Sequence, residues 1–473
     1  MRLSFRALSV VVLALATTVA PSAGAAERGW VVERVRFVPT GGEPLQADGR
    51  AFRGAIEVGV HGGGLAVVNE LGLDDYVKGI SEVPANWPAE AQKAQAIAAR
   101  TYALHSLLVA RQRGVVRPLG ADICATQACQ VYAGLASEAR PGGARWAAAV
   151  DATRGQLLLY RGGPILAQYS STNGGRTVRG SRPYLWEVPD PDDAASPYHR
   201  WRVSFAAQEI QGLFRLAGPL VAVNRLGDTV VLTARQPDGV DYPLQMSAAH
   251  LRAEINRAFG PRPGLPLAVP SSRYGLTLEG DQVVLAGGGW GHGIGMSQYG
   301  ALGKARRGMA APDILAAYYG GIRPTFVAPE RLPSGIRVVV AEGRGAVTVA
   351  SMGGFQVVDQ VGNPLVAAGA GVWRIEPAGG GVRVVPPEGY DQPLRAAALE
   401  PAAPAVGQQP VVRFALDAPA AVTVKLVGPT GEATVAEGQL PAGDHALPLQ
   451  EATPGDWQVV VAEGRGAVTV ASM

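Results

Sequence analysis

The chain has 473 residues, length enough for about three domains, and 47% of them are hydrophobic, which rules out a wholly disordered polymer. Gly and Pro together make 98 residues (62 + 36), short of a low-complexity composition. Charged residues are sparse at 17%, the formal net charge is +3, and no run of like charge occurs, so no nucleic-acid partner is expected.

Arg2 and Arg6 precede an apolar stretch from Ala7 to Ala20, followed by the small residues Pro21-Ser22-Ala23-Gly24-Ala25-Ala26. A positive start, a short apolar run and a small-residue end predict a secretory signal peptide over 1–25. The run is too short to span a bilayer, and no later stretch is apolar enough, so no transmembrane segment is expected after its removal. An exported, extracytoplasmic protein meets oxidising surroundings, so Cys124 and Cys129 are expected to form a local disulfide.

Short β runs follow between Trp30 and Glu70, at 31–38, 56–60 and 65–68. The clearest helix comes next. Pro88 opens it, Glu90 suits its first turn, Arg111 and Arg113 its last, and Gly114 stops it. Arg100 carries the only formal charge between Lys93 and Arg111, so this helix is expected in the core. β runs return at 156–160 and 165–169, and helical stretches are expected around 248–259 and 311–319. The Pro-rich segment 324–333 suggests a boundary. The expected fold is α+β, a β-rich domain over 26–330 around one buried helix. A small β module over 331–400 and a C-terminal β-sandwich over 405–473 follow. Residues 338–352 and 459–473 are the same fifteen amino acids, and either copy reads as a hairpin turning at Glu-Gly-Arg-Gly.

Three segments carry more information than folding requires. In the first, Glu82 lies among Ile80, Val83 and Pro84, just ahead of the helix. Alone, that stretch reads most simply as a surface carboxylate; the alternative is a Glu held against apolar groups with a raised pKa, as a general acid needs. The second, Tyr169-Ser170-Ser171-Thr172-Asn173-Gly174-Gly175-Arg176, clusters hydroxyls and amides on two glycines. The third, Gly287 to Gly300, contains His292, Ser297 and Gln298 in a glycine-rich loop. It fits neither a P-loop nor a nucleophile elbow. By itself His292 reads first as a hydrogen-bonded structural residue.

Taken together, these segments resemble the SpoIID/LytB family of bacterial cell-wall proteins. The matching stretches are Val68 to Leu104, with Glu82-Val83-Pro84 and Lys93 to Tyr102 at its centre, then Cys129-Gln130-Val131-Tyr132, Tyr169 to Arg176, and Gly289 to Ala301. The resemblance covers about residues 30–325 and implies action on peptidoglycan. Sporulation members cleave peptide-stripped glycan strands as lytic transglycosylases, and others are described as enhancers of a wall amidase. The family's catalytic Glu falls on Glu82. One carboxylate suffices for such an enzyme, because the muramic acid 6-hydroxyl attacks its own anomeric carbon. Tyr169, Ser171, Thr172, His292, Ser297 and Gln298 match motif positions and are expected to bind sugar. Arg100 is expected to pair with a carboxylate, Glu82 among the candidates. Some members hold zinc with Cys and His near Cys-Gln-Val-Tyr. Here Gln127-Ala128 precede Cys129 and no His adjoins, so no metal or other cofactor is expected. The C-terminal module resembles immunoglobulin-like modules of flagellar hook-cap proteins. Two readings result: a wall-associated lytic transglycosylase, or a non-catalytic glycan-binding protein or amidase enhancer.

Overall fold

A computed structural model describes residues 30–115, 117–362, 364–387, 394–400, 411–416, 420–428, 431–441, 443–448, 458–463 and 466–472. The signal peptide expected over 1–25 lies outside these residues. The chain is strand-rich, with helices packed against several sheets, and no helix among the described residues is long and apolar enough to cross a membrane.

Six N-terminal strands form in turn: β1 (Trp30–Val32), β2 (Arg34–Pro39), β3 (Leu45–Ala47), β4 (Arg50–Phe52), β5 (Ala55–His61) and β6 (Gly64–Leu71). β5 and β6 make a hairpin from His61↔Gly64 to Ala55↔Glu70. Gly62 and Gly63 turn it with positive φ, where an L side chain is strained. β2 pairs β5 on one side and the strand Val347–Asp359 on the other. The strand Ile336–Arg344 adds to β6, and Gly381–Val385 pairs β1.

That pairing moves the expected boundary. Residues 331–400 do not stand apart as a module, because the strands between 336 and 385 complete the sheet begun by residues 30–71. Phe37, Phe355 and Trp373 meet edge to face in the resulting core, with ring centroids 5.6 to 6.5 Å apart. Apolar side chains from both ends of the segment are needed to exclude water, so neither end buries its face alone.

Two helices connect this sheet to the site. α1 (Leu73–Lys78) is short; α2 (Ala89–Arg113) runs through the core as expected. Ala94, Ala96, Ile97, Ala98 and Ala99 are all fully buried, and the small alanine side chains let neighbouring backbone approach closely. Gly114 ends α2 in the left-handed conformation, with its N–H on the Ala110 carbonyl. A second core forms within residues 201–285, where two three-stranded sheets pack with the helices Ala207–Leu213 and Ala248–Ala258. The described C-terminal residues build a three-stranded and a four-stranded sheet.

Candidate active site

α1 stops at Gly79, and the next residues are held against the Cys129–Tyr132 segment. Ile80 bridges Tyr132, and the Ser81 N–H donates to the Val131 carbonyl at 2.9 Å. This fixes Glu82, whose Oε1 accepts the Val131 N–H at 2.6 Å. Burial raises the carboxyl pKa, against hydrogen bonds from Val131 and Gln298 that favour the charged form. Burial raises the pKa values of the Tyr76 and Tyr169 phenols, and the Glu82 charge adds to both shifts. Gln130 connects them: its Oε1 accepts from Tyr76 Oη at 3.0 Å, and its Nε2 donates to Tyr169 Oη at 2.8 Å.

Arg100 does not pair with Glu82. Its fully buried guanidinium donates to Asp74 at 2.8 Å and to the Val150 carbonyl at 3.1 Å. Among the described residues no cation forms an ion pair with Glu82. With no guanidinium beside it, nothing cationic offsets the burial that raises the pKa of this carboxyl.

The second and third segments meet as two short parallel strands, Tyr169↔Met296 and Ser170↔Ser297. That register carries Gln298 to Glu82, and the Gln298 amide also contacts Gln95 of α2 at 3.4 Å. Thr172 and Ser297 depart from the sugar-binding expectation. Both are fully buried, and both hydroxyls donate to Asp193 at 2.6 Å. The same carboxylate accepts the Asn173 and Gly174 N–H groups at 2.8 Å and contacts His199 Nδ1 at 2.9 Å. Asp190 is a second buried hub, bonded to Asn173, Tyr318 and Lys304. These acids escaped the sequence reading, although Asp190-Pro191-Asp192-Asp193 is a visible acidic cluster. Ser171 presents its main-chain carbonyl to the Tyr299 N–H at 3.0 Å.

Arg273 supports the glycine-rich loop. Gly289 and Gly293 both take positive φ where they close over Arg273, and a Cβ on Gly289 would fall 2.6 Å from the Thr172 carbonyl oxygen, so glycine suits both positions. Next to Gly293, His292 accepts the Ile294 N–H at 2.9 Å through Nδ1. The residue is exposed overall, and partial desolvation of its ring lowers the pKa against a main-chain hydrogen bond with Tyr169. Tyr169 and Gln298 thus act on Glu82, His292 lies on the adjoining glycine-rich loop, and Thr172 and Ser297 brace the loops from beneath.

Cys124 and Cys129 form the expected disulfide. With the two sulfurs bonded to each other, neither is a thiolate ligand, and this segment does not fit a zinc site. The bridge closes the loop that leads directly to Gln130 and Val131.

One carboxyl of raised pKa, bonded to the Val131 N–H and close to the Gln298 amide, can give a proton to a leaving oxygen and take one back. A family model described as stage II sporulation protein, SpoIID, matches residues 61–160, a span that contains Glu82, α2 and the disulfide. Stage II sporulation protein D of Bacillus subtilis is 32% identical over 269 residues, covering 54% of this chain and 74% of that protein. Its counterpart in Bacillus amyloliquefaciens is 31% identical over 270 residues, with the same coverage of both chains. The amidase enhancer of Bacillus subtilis is 26% identical over 295 residues, covering 52% of this chain and 39% of that protein. The matched span, the Glu82 surroundings and the two loops that close on them make this chain a member of the SpoIID/LytB family.

Proposed function

We propose that this protein is an extracytoplasmic lytic transglycosylase that cleaves peptide-stripped peptidoglycan strands, with Glu82 as its acid and base. The observation that carries the reading is the Glu82 carboxyl, held by Val131 and Gln298 in desolvated surroundings without a cationic partner. In its protonated form it donates to the glycosidic oxygen as the anomeric bond breaks. The resulting carboxylate then takes the proton of the muramic 6-hydroxyl as that oxygen closes on the anomeric carbon. Holding the hydroxyl in place makes the second step intramolecular, which replaces the second carboxylate of a hydrolase. Tyr169, His292 and Gln298 orient the sugar, and no metal or cofactor takes part in this scheme.

The test compares the full chain with Glu82→Gln on glycan strands stripped by an amidase, with products read by mass spectrometry and a chelator in a parallel arm. Anhydro-muramic ends are expected from the unsubstituted chain alone, at a rate at least about 10³-fold above the variant, with no effect of chelator. New reducing ends would instead mean hydrolysis and a second carboxylate. The similarity to an amidase enhancer supports a second reading, a glycan-binding protein that assists an amidase. Binding without cleavage, together with faster amidase turnover, would favour it.

A further inference from the structure

We propose that Trp87, Tyr299, Tyr198 and Trp290 form an aromatic track that seats successive sugar rings beside Glu82, ending at arginines that take the strand's free carboxylates. The inference rests on the reading of the substrate as a glycan. Four side chains from separate segments make two ring pairs, Trp87 with Tyr299 at 5.1 Å and Tyr198 with Trp290 at 5.3 Å between centroids. Adjacent residues join the pairs, for the Ser171 carbonyl accepts the Tyr299 N–H at 3.0 Å and Thr172 exchanges main-chain hydrogen bonds with Trp290. All four residues remain half-buried. A core would cover such rings; a binding surface keeps them open, since an aromatic body with a polar tip suits a sugar's apolar face and hydroxyl rim.

The main chain fixes each ring. The Trp87 carbonyl accepts from Gln92 at 2.7 Å, and the Tyr299 N–H donates to Ser171. Trp290 exchanges main-chain hydrogen bonds with Thr172, and the Tyr198 carbonyl accepts the Gly289 N–H at 2.9 Å. The track also adjoins the site, for Tyr299 follows Gln298 and Trp290 precedes His292 by two residues.

Beyond Tyr198 the surface becomes cationic. A cavity of about 430 Å³ is lined by Arg176, Arg179, Arg200 and Arg273, and Arg200 and Arg273 also line a neighbouring cavity of about 670 Å³ with Arg202. Arg176 pairs with Glu187 and Arg202 with Glu279. Among the described residues no carboxylate forms an ion pair with Arg179 or Arg200. Arg179 lies over the exposed Trp186 ring at 5.5 Å, and Arg200 donates to the carbonyls of Gly174 and His199. Removing stem peptides leaves one free lactyl carboxylate per disaccharide, an anion that a guanidinium accepts in bidentate fashion. Charge complementarity thus selects a stripped, acidic strand over a neutral one.

Binding is measured on the full chain carrying Glu82→Gln, so that no strand is cut. The probes are stripped muramic-containing oligosaccharides, neutral N-acetylglucosamine oligomers of equal length and a poly(glycerol phosphate) chain. Trp87→Leu and Tyr198→Leu are expected to weaken both sugars about three- to tenfold, while Trp87→Phe and Tyr198→Phe retain binding. Arg200→Gln is expected to weaken only the acidic sugar, about tenfold. Unchanged affinity in folded leucine variants would overturn the track. Equal loss of neutral and acidic sugar in Arg200→Gln, or tighter binding of the phosphate polymer than of the acidic sugar, would overturn the carboxylate assignment. These outcomes are independent of cleavage: a chain that binds along the track and leaves no anhydro ends upholds this inference and overturns the lytic reading.

Discussion

Glu82 is controlled by opposing effects. Burial favours its neutral form, whereas the Val131 N–H and Gln298 favour the carboxylate, and burial prevails. A general acid must be protonated, so activity should decline as pH rises through the raised pKa, above the ordinary carboxyl range near ~4.3. Removing Gln298 removes one group that stabilises the charge. Gln298→Ala is therefore expected to move the alkaline limb of the kcat/KM profile to higher pH, with the optimum rate reduced about tenfold or more through lost sugar orientation. An alkaline limb that stays in place would show that Gln298 does not hold the carboxyl. The sequence displayed Glu82 and Gln298 as members of separate motifs. It offered no sign that Val131 would grip the carboxyl, because a main-chain donor leaves no residue signature.

At the scale of elements, Asp193 organises the loops. Burial alone would raise its pKa, but hydrogen bonds from Ser297, Thr172, His199 and Asn173 outweigh it and hold the pKa below the usual carboxylate range. A depressed pKa stabilises the fold above the unfolded value near ~3.9, and this stabilisation is lost as pH falls through the lower folded value. Asp193→Ala is expected to destabilise by about 3–5 kcal/mol, because several buried donors lose their acceptor at once. Thermal unfolding at neutral pH measures the loss, and the gap between variant and parent should narrow below about pH 4. A gap constant across that range would exclude the ionised carboxylate as the source of stability. The hydroxyls of Thr172 and Ser297 resembled sugar ligands because motif position says nothing of which way a side chain faces. The acid that turns them inward comes from a short helix, Pro191–Ala195, some twenty residues beyond the first loop.

For the whole molecule, the sheet closes only when residues 336–385 return to the N-terminal strands. A chain ending at 330 would leave β2 without its Val347–Asp359 partner and β6 without Ile336–Arg344, exposing both the apolar face and unpaired edges. Residues 26–330 are expected to be insoluble or protease-sensitive, whereas residues 26–387 should give a cooperative thermal transition. Equal protease resistance and melting of the two would refute that dependence. That residues 331–400 are β-rich was legible, but the destination of their strands was not, since a strand pairs with whichever edge the fold brings to it.

Elements whose signals are local follow from the amino-acid order alone. α2 follows from its alanine-rich apolar run and terminal glycine, the disulfide from two cysteines five residues apart, and the three motif segments from their unusual composition. Tertiary structure alone decided how distant pieces combine. It gathered Arg176, Arg179, Arg200 and Arg273, scattered over nearly a hundred residues, onto one cationic face. It also gave the same fifteen residues two fates. In the second copy, Gln458–Glu463 and Gly466–Ser472 pair with each other as a hairpin. In the first, Ile336–Arg344 pairs β6 while Val347–Asp359 pairs β2, β3 and Pro364–Ala378. Identical local preferences make strands in both places. The partners differ because hydrogen bonding and apolar burial are satisfied by the edges within reach, and only the folded chain sets which edges those are.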